Sequence, residues 1–161
     1  MLASLPPFSL VERGGAPVTL DSLRGHAWVA DFIFTRCAGI CPVMTGRLAR
    51  LRKQVPIEVR FVSFTVDPEH DTPEVLHRYA DLHGASGDWL FVTGAKPALY
   101  QLATQGFKLA AMELPPGDSG GPFLHSGKLV LVDAQARVRG YFDSDDEVAV
   151  KALAEGIGRL R

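Results

Sequence analysis

Ala27 to Thr35 is an almost wholly apolar run, Ala-Trp-Val-Ala-Asp-Phe-Ile-Phe-Thr, and it leads through Arg36 into Cys37-Ala38-Gly39-Ile40-Cys41-Pro42. A strand this apolar has to be covered on both faces, which restricts the chain to layered architectures with helices packed on a sheet. Proline lacks an N–H and is best tolerated in the first helical turn, so Pro42 places a helix start near Gly39 to Cys41. Both sulfurs then lie at or just before a helix N-terminus. Met44, Leu48, Leu51 and Val55 continue as an apolar stripe at spacings of 4, 3 and 4. Asp31 is the one charge in the strand. It reads either as a strand-end charge or as a partner standing behind a functional group.

The remaining elements follow from local chemistry. Phe8 to Val11 and Pro17 to Leu20 flank Arg13-Gly14-Gly15, a short hairpin turn. Ile57 to Val66 is a second strand, ending in Asp67-Pro68-Glu69-His70-Asp71-Thr72-Pro73-Glu74. Thr72 is a good N-cap, with Pro73 at the first helical position and Glu74 favoured by the helix dipole. Leu76, Tyr79 and Leu82 are expected on the buried face of that helix. Trp89 to Thr93 forms a strand, and Pro97 to Gln105 a helix with Leu99 and Leu102 inward. Leu114 to Pro122, rich in proline and glycine, reads as a long loop. Lys128 to Asp133 and Val138 to Phe142 form a hairpin, and a last helix from Ser144 or Asp145 turns Val148, Leu153 and Ile157 to the core. This order predicts an α/β thioredoxin-like sandwich, a central mixed sheet flanked by helices, with an N-terminal β-hairpin. The whole of 1–161 is expected to be one domain. Residues 1–6 are expected to be a disordered remnant after a removed N-terminal anchor.

A net charge of −1 leaves no footprint for nucleic acid or an anionic membrane surface. The basic residues between Arg47 and Lys53 read as a solvated helix face. No apolar run approaches the roughly 18 residues of a membrane span, and Met1 to Pro7 lacks the pattern of a signal peptide.

Cys37 and Cys41 are the only 2 cysteines, which makes them a functional pair rather than a disulfide framework. The thiolate is the reactive and metal-binding form, and a helix N-terminus together with Arg36 should favour it. Four residues of helix rise about 6 Å, within reach of disulfide geometry. The pair therefore suits a reversible dithiol, or two soft donors for one metal ion. Packing as small hydrophobes is the third use, disfavoured by the Gly39 and Pro42 context. Two sulfurs and one imidazole suit copper. The imidazole has 5 candidates, His26, His70, His77, His83 and His125. His70 ends the second strand on the same edge as the cysteines, and His125 leaves the Gly/Pro-rich loop just before a strand. His77 and His83 fall on a surface helix, and His26 at the opposite end of its strand. Met44 belongs to the core stripe; Met112 stands before the loop as a weak thioether donor.

Phe34-Thr35-x-Cys37-x-x-x-Cys41-Pro42, then Val66-Asp67-Pro68-x-x-Asp71-Thr72-Pro73, then His125-Ser126 before a Leu-Val-Asp strand, resembles the Sco/SenC family of copper-binding proteins. The likeness runs in order from about Leu5 to the last helix. It implies a thioredoxin-like fold and one Cu(I) or Cu(II) ion held by Cys37, Cys41 and His125. It also implies a copper metallochaperone, often with a thiol–disulfide function, that assists assembly of the dinuclear copper centre of cytochrome c oxidase. The implied partners are a copper donor protein and an oxidase subunit as acceptor. The implied location is the periplasm or another extracytoplasmic membrane face, with an N-terminal anchor. Ala38-Gly39 replaces the family's common Pro-Asp between the cysteines. The Asp67 and Asp71 element serves either to orient metal ligands or to cap a helix. A thiol–disulfide oxidoreductase acting on client cysteines through Cys37 and Cys41 is the alternative; a peroxiredoxin-like peroxidase is a weaker third.

Overall fold

The structure, a computed structural model, describes residues 3–36, 40–85, 88–109, 111–113, 122–124 and 127–160. The elements run β1 (Ala3–Ser4), β2 (Ser9–Glu12), β3 (Pro17–Thr19), α1 (Leu20–Leu23), β4 (Trp28–Ile33), α2 (Ile40–Arg52), β5 (Arg60–Thr65) and α3 (Pro73–Leu82). They continue with β6 (Trp89–Thr93), α4 (Lys96–Gln101), a π-helical turn (Leu102–Gly106), β7 (Ala111–Glu113), β8 (Pro122–Leu124), β9 (Lys128–Val132), β10 (Arg137–Asp143) and α5 (Glu147–Arg159). Eight strands form one sheet in the order β1-β10-β9-β4-β5-β6-β2-β3, while β7 and β8 pair separately. β4, β5 and β6 run parallel and the other pairs antiparallel. This is the expected thioredoxin-like α/β arrangement, with the N-terminal hairpin in place as β2 and β3.

Alternation along the strands sorts the core into two layers. Trp28 and Phe32 of β4 and Phe64 of β5 point to one face, where Phe32 stacks on Phe64 at 5.0 Å between ring centroids. Phe107 closes this cluster, 5.3 Å from Phe32 and 6.0 Å from Trp28. The π-helical turn delivers it, because the Phe107 N–H donates to the Leu102 carbonyl, five residues back. Phe107→Ala is expected to cost about 3–5 kcal/mol, read as a lower denaturant midpoint with an unchanged m-value. A loss below about 1 kcal/mol would mean that the cluster does not close the core.

The opposite face carries Phe61, Trp89 and Phe91 in edge and stacked contacts. It is covered by α2, whose Arg52 guanidinium lies 4.7 Å over Phe61, and by α3, whose Tyr79 meets Phe91. Thr45 of α2 and Tyr79 of α3 share a buried hydrogen bond of 3.0 Å that joins the two helices. α5 packs on β9 and β10.

Several expectations shift. Ala3 and Ser4, expected to be disordered, pair with β10, and Leu5 beside them is buried. Leu82 and Val148, expected inward, are 80% and 76% exposed. Both stand at helix ends, where the apolar spacing runs beyond the surface it packs on. Ala80 and Gly156 take buried positions instead. The β7–β8 pair is an addition to the expected elements. It aligns Ala111 with Leu124 and Glu113 with Pro122, around the segment that reads as a loop. Residues 114–121 of that segment lie outside the described residues.

Candidate functional site

The strands β4 and β5 are parallel neighbours, so their carboxyl ends bring Thr35-Arg36 and residues 65–71 to one edge of the sheet. Asp71 is fully buried there and acts as a clasp. Its Oδ2 accepts from the Thr35 backbone N–H at 3.0 Å and from the Thr65 hydroxyl at 2.7 Å. Its Oδ1 accepts from the Thr35 hydroxyl at 2.5 Å and faces His70 Nδ1 at 2.9 Å. Thr65 Oγ1 in turn accepts from the Asp67 backbone N–H at 2.9 Å.

A second clasp lies beside it. The Asp67 side chain is 5% exposed and accepts from Arg36 Nε and Nη2 at 2.9 and 2.6 Å. Two carboxylates from one turn therefore hold the two residues that precede Cys37. This gives Asp67 and Asp71 a role beyond the two weighed from the sequence, tethering the thiol loop. Helix capping falls to Thr72, whose hydroxyl accepts from the Val75 N–H, with Pro73 in the first turn. The electrostatics change as well: Arg36 is engaged by the Asp67 carboxylate, which offsets part of its charge. Thr35 and Thr65 are not singled out by the sequence. Strand parity is the available signal, since Ile33 pairs with Thr65 and Thr35 lies two residues further on the same face.

Cys41 sits in the first turn of α2, 3% exposed and part of the hydrophobic core. Cys37 and His125 lie outside the described residues. Of the other histidines, His77 faces Asp81 on the surface of α3 at 3.4 Å. His83 packs on the Tyr79 ring at 4.4 Å, and partial burial lowers its pKa. His70 is the imidazole that reaches the thiol edge among the described residues. An open depression of about 320 Å³ lies against it, lined by Arg36, Asp67, Pro68, Glu69, His70 and Lys96.

The profile of the SCO1/SenC family matches residues 3–160. The chain belongs to the SCO1/SenC family. Among curated relatives, a SCO1 protein homolog of Bacillus subtilis is 38% identical over 137 residues, covering 82% of this chain and 69% of the relative. A protein of Stutzerimonas stutzeri, provisionally named as copper-binding, is 31% identical over 86% of this chain and 68% of its own. Among solved structures, a SCO1/SenC family lipoprotein from Bacillus anthracis superposes with a TM-score of 0.89 at 27% identity, covering 99% of this chain and 96% of that one. BsSco, described as a member of the Sco family of cytochrome c oxidase assembly proteins with a disulfide switch, gives 0.85 at 32% identity, over 99% and 94% of the two chains.

The structure corrects one expectation for this SCO1/SenC protein, the copper pocket of Cys37, Cys41 and His125. The metal-capable group that the described residues bring together is Asp67, His70 and Asp71, whose ligand atoms lie within 4.8 Å of one another. The physical reason is topological: β5 ends beside β4, so the 67–71 turn delivers hard oxygens and His70 to the thiol edge. Carboxylates and one imidazole favour harder cations than Cu(I). Their lone pairs are also engaged by Thr35, Thr65 and Arg36, so a cation there would have to displace those donors. Among the described residues, no helix is long and apolar enough to cross a membrane.

Proposed function

We propose that this SCO1/SenC protein handles copper as cargo in the assembly of cytochrome c oxidase, at an extracytoplasmic membrane face. Family membership across residues 3–160 carries the reading. BsSco is described as belonging to a family of oxidase assembly proteins, and the Stutzerimonas relative's name points to copper. The Bacillus anthracis relative is described as a lipoprotein, which supports a tethered placement. The partners in this reading are a copper-donating protein and an oxidase subunit that accepts the metal.

Cargo loading is assigned here to the reduced thiol pair, Cys37 and Cys41. Thiolates are strong soft donors for Cu(I), and they bind only when reduced. Oxidation of the pair to a disulfide removes both donors, so the redox state of these cysteines sets whether copper is kept or released. The disulfide switch described for BsSco favours that coupling. The clasps of Asp67 and Asp71 then serve to hold Thr35-Arg36, and with them the approach to Cys37.

The test is metal analysis of reduced protein after copper loading and removal of loose metal. Cys37→Ser and Cys41→Ser are each expected to lose most of the retained copper, and His70→Ala to keep it. Loss with His70→Ala, and retention in both cysteine variants, would place the cargo on the Asp67–His70–Asp71 group and sink the thiol assignment.

A further inference from the structure

Residues of α2 and α5 line a groove of about 230 Å³, outside the thiol edge described above. Its floor is apolar: Leu51 is buried, and Val150 and Ala154 are half-buried. Its walls are charged, with Arg47, Arg50 and Lys151 set against one carboxylate, Glu147. Arg47 is the decisive residue. Its side chain is half-buried, and its Nε is fully buried with no hydrogen-bond partner. A donor held out of water without an acceptor carries a desolvation cost, so the guanidinium is held in place with its terminal nitrogens left for the groove. Arg50 and Lys151 are likewise in no ion pair among the described residues.

The basic run of α2 is thus not one uniform solvated face. Arg52 turns back on its own chain, donating to the carbonyls of Val55, Pro56 and Val59. Arg47 and Arg50 turn to the groove, where Lys151 of α5 stands on the other wall. Three cations against one anion, over an apolar floor, complement a ligand with several carboxylates and a few apolar side chains. A recess between two helices admits a chain segment, whereas a flat lipid surface would reach only its rim.

We propose that the groove between α2 and α5 docks an acidic peptide segment of a partner protein. Its carboxylates pair with Arg47, Arg50 and Lys151, and its apolar side chains rest on Leu51 and Val150. This docking is independent of copper handling. Arg47 lies six residues beyond Cys41 on α2, about 9 Å along the helix axis.

The experiment is fluorescence anisotropy on the full reduced chain, with a short labelled peptide that alternates glutamate and leucine. Its glutamine counterpart and phosphatidylserine vesicles are the comparison probes. The acidic peptide is expected to bind, and to bind more weakly as salt rises. The triple variant Arg47→Gln, Arg50→Gln, Lys151→Gln is expected to weaken binding about tenfold or more, roughly 1.4 kcal/mol. Glu147→Gln should strengthen it severalfold, a gain that misfolding cannot mimic. Lys53→Gln and Arg78→Gln, outside the groove, should leave it unchanged. Equal binding of the glutamine peptide, equal losses from the outside variants, or binding of the vesicles alone would each overturn the proposal. So would no binding of the acidic peptide at millimolar concentration.

Discussion

Asp31→Asn is expected to stabilise the protein at pH 8 and to leave it nearly unchanged at acid pH. Asp31 lies mid-strand in β4, wholly buried, opposite Ser63 of β5. Ser63 Oγ donates to its Oδ1 at 2.5 Å and accepts from Trp89 Nε1 at 3.1 Å, while Oδ2 is buried without a partner. Burial pushes the carboxyl from its ordinary 3.8 up to about 7, against the smaller opposing effect of the Ser63 hydrogen bond. A carboxyl whose pKa is higher in the folded chain binds its proton more tightly there than when unfolded. Its penalty is therefore absent below pH 3.8, grows between 3.8 and about 7, and is complete above that. Stability contributed by this group falls as pH rises through the window. At 1.36 kcal/mol per unit, the full penalty is on the order of 4 kcal/mol.

Asparagine keeps an oxygen to accept from Ser63 and removes the charge. The difference in unfolding free energy between wild type and variant, measured from pH 4 to 8, should open in the variant's favour and level off above about pH 7. Trp89 fluorescence offers a local readout, since its indole N–H ends the same chain of hydrogen bonds. A difference that does not change with pH would show that Asp31 does not titrate in this range.

The second large effect is expected at Asp71. Its replacement by alanine leaves the Thr35 N–H and the Thr65 hydroxyl without their acceptor, and Thr65 is fully buried. The buried Thr65 hydroxyl costs about 1–3 kcal/mol when orphaned and the part-buried Thr35 N–H less, so the total is on the order of 2–4 kcal/mol. Amide exchange at Thr35 should also rise well beyond what global destabilisation explains, because the Asp67–Arg36 clasp alone does not hold that N–H. Asp71→Asn tests the chemistry at constant shape. Its oxygen can take the Oδ2 place and accept from the Thr35 N–H and the Thr65 hydroxyl, while its NH2 group donates to the Thr35 hydroxyl oxygen or to His70 Nδ1, so it should recover much of the loss. No recovery by asparagine would argue that the negative charge, not acceptor capacity, holds the thiol loop.

Features set by neighbours in sequence are legible there. Pro42 and Thr72-Pro73 fix two helix starts by local chemistry, and β2, β4, β6 and β9 lie where alternation and turn residues put them. Long-range pairings are hidden. Asp31 stays undecided because its partner Ser63 stands 32 residues away, and parity alone does not name which polar residue will sit opposite. Arg36 reads as a charge for the thiols, whereas Asp67, 31 residues on, engages it. Leu82 and Val148 look inward because spacing reports the phase of a helix and not where its packing partner ends. The short β7 and β8 pair has too few residues for any period to show. At the site, His70 is legible on the thiol edge because it follows the end of the second strand. Its contact with Asp71, and that of Asp67 with Arg36, are not, since they depend on β5 ending beside β4.

Copper as the cargo of the reduced chain is the claim on which the proposed function stands. Copper retained by wild-type protein, after loading and dialysis against a weak chelator, tests this most directly when reduced and oxidised samples are run together. Stoichiometric copper in the reduced sample and little in the oxidised one is the predicted result. Equal retention by both would contradict a role for the thiols, and no retention by either would contradict the copper reading itself.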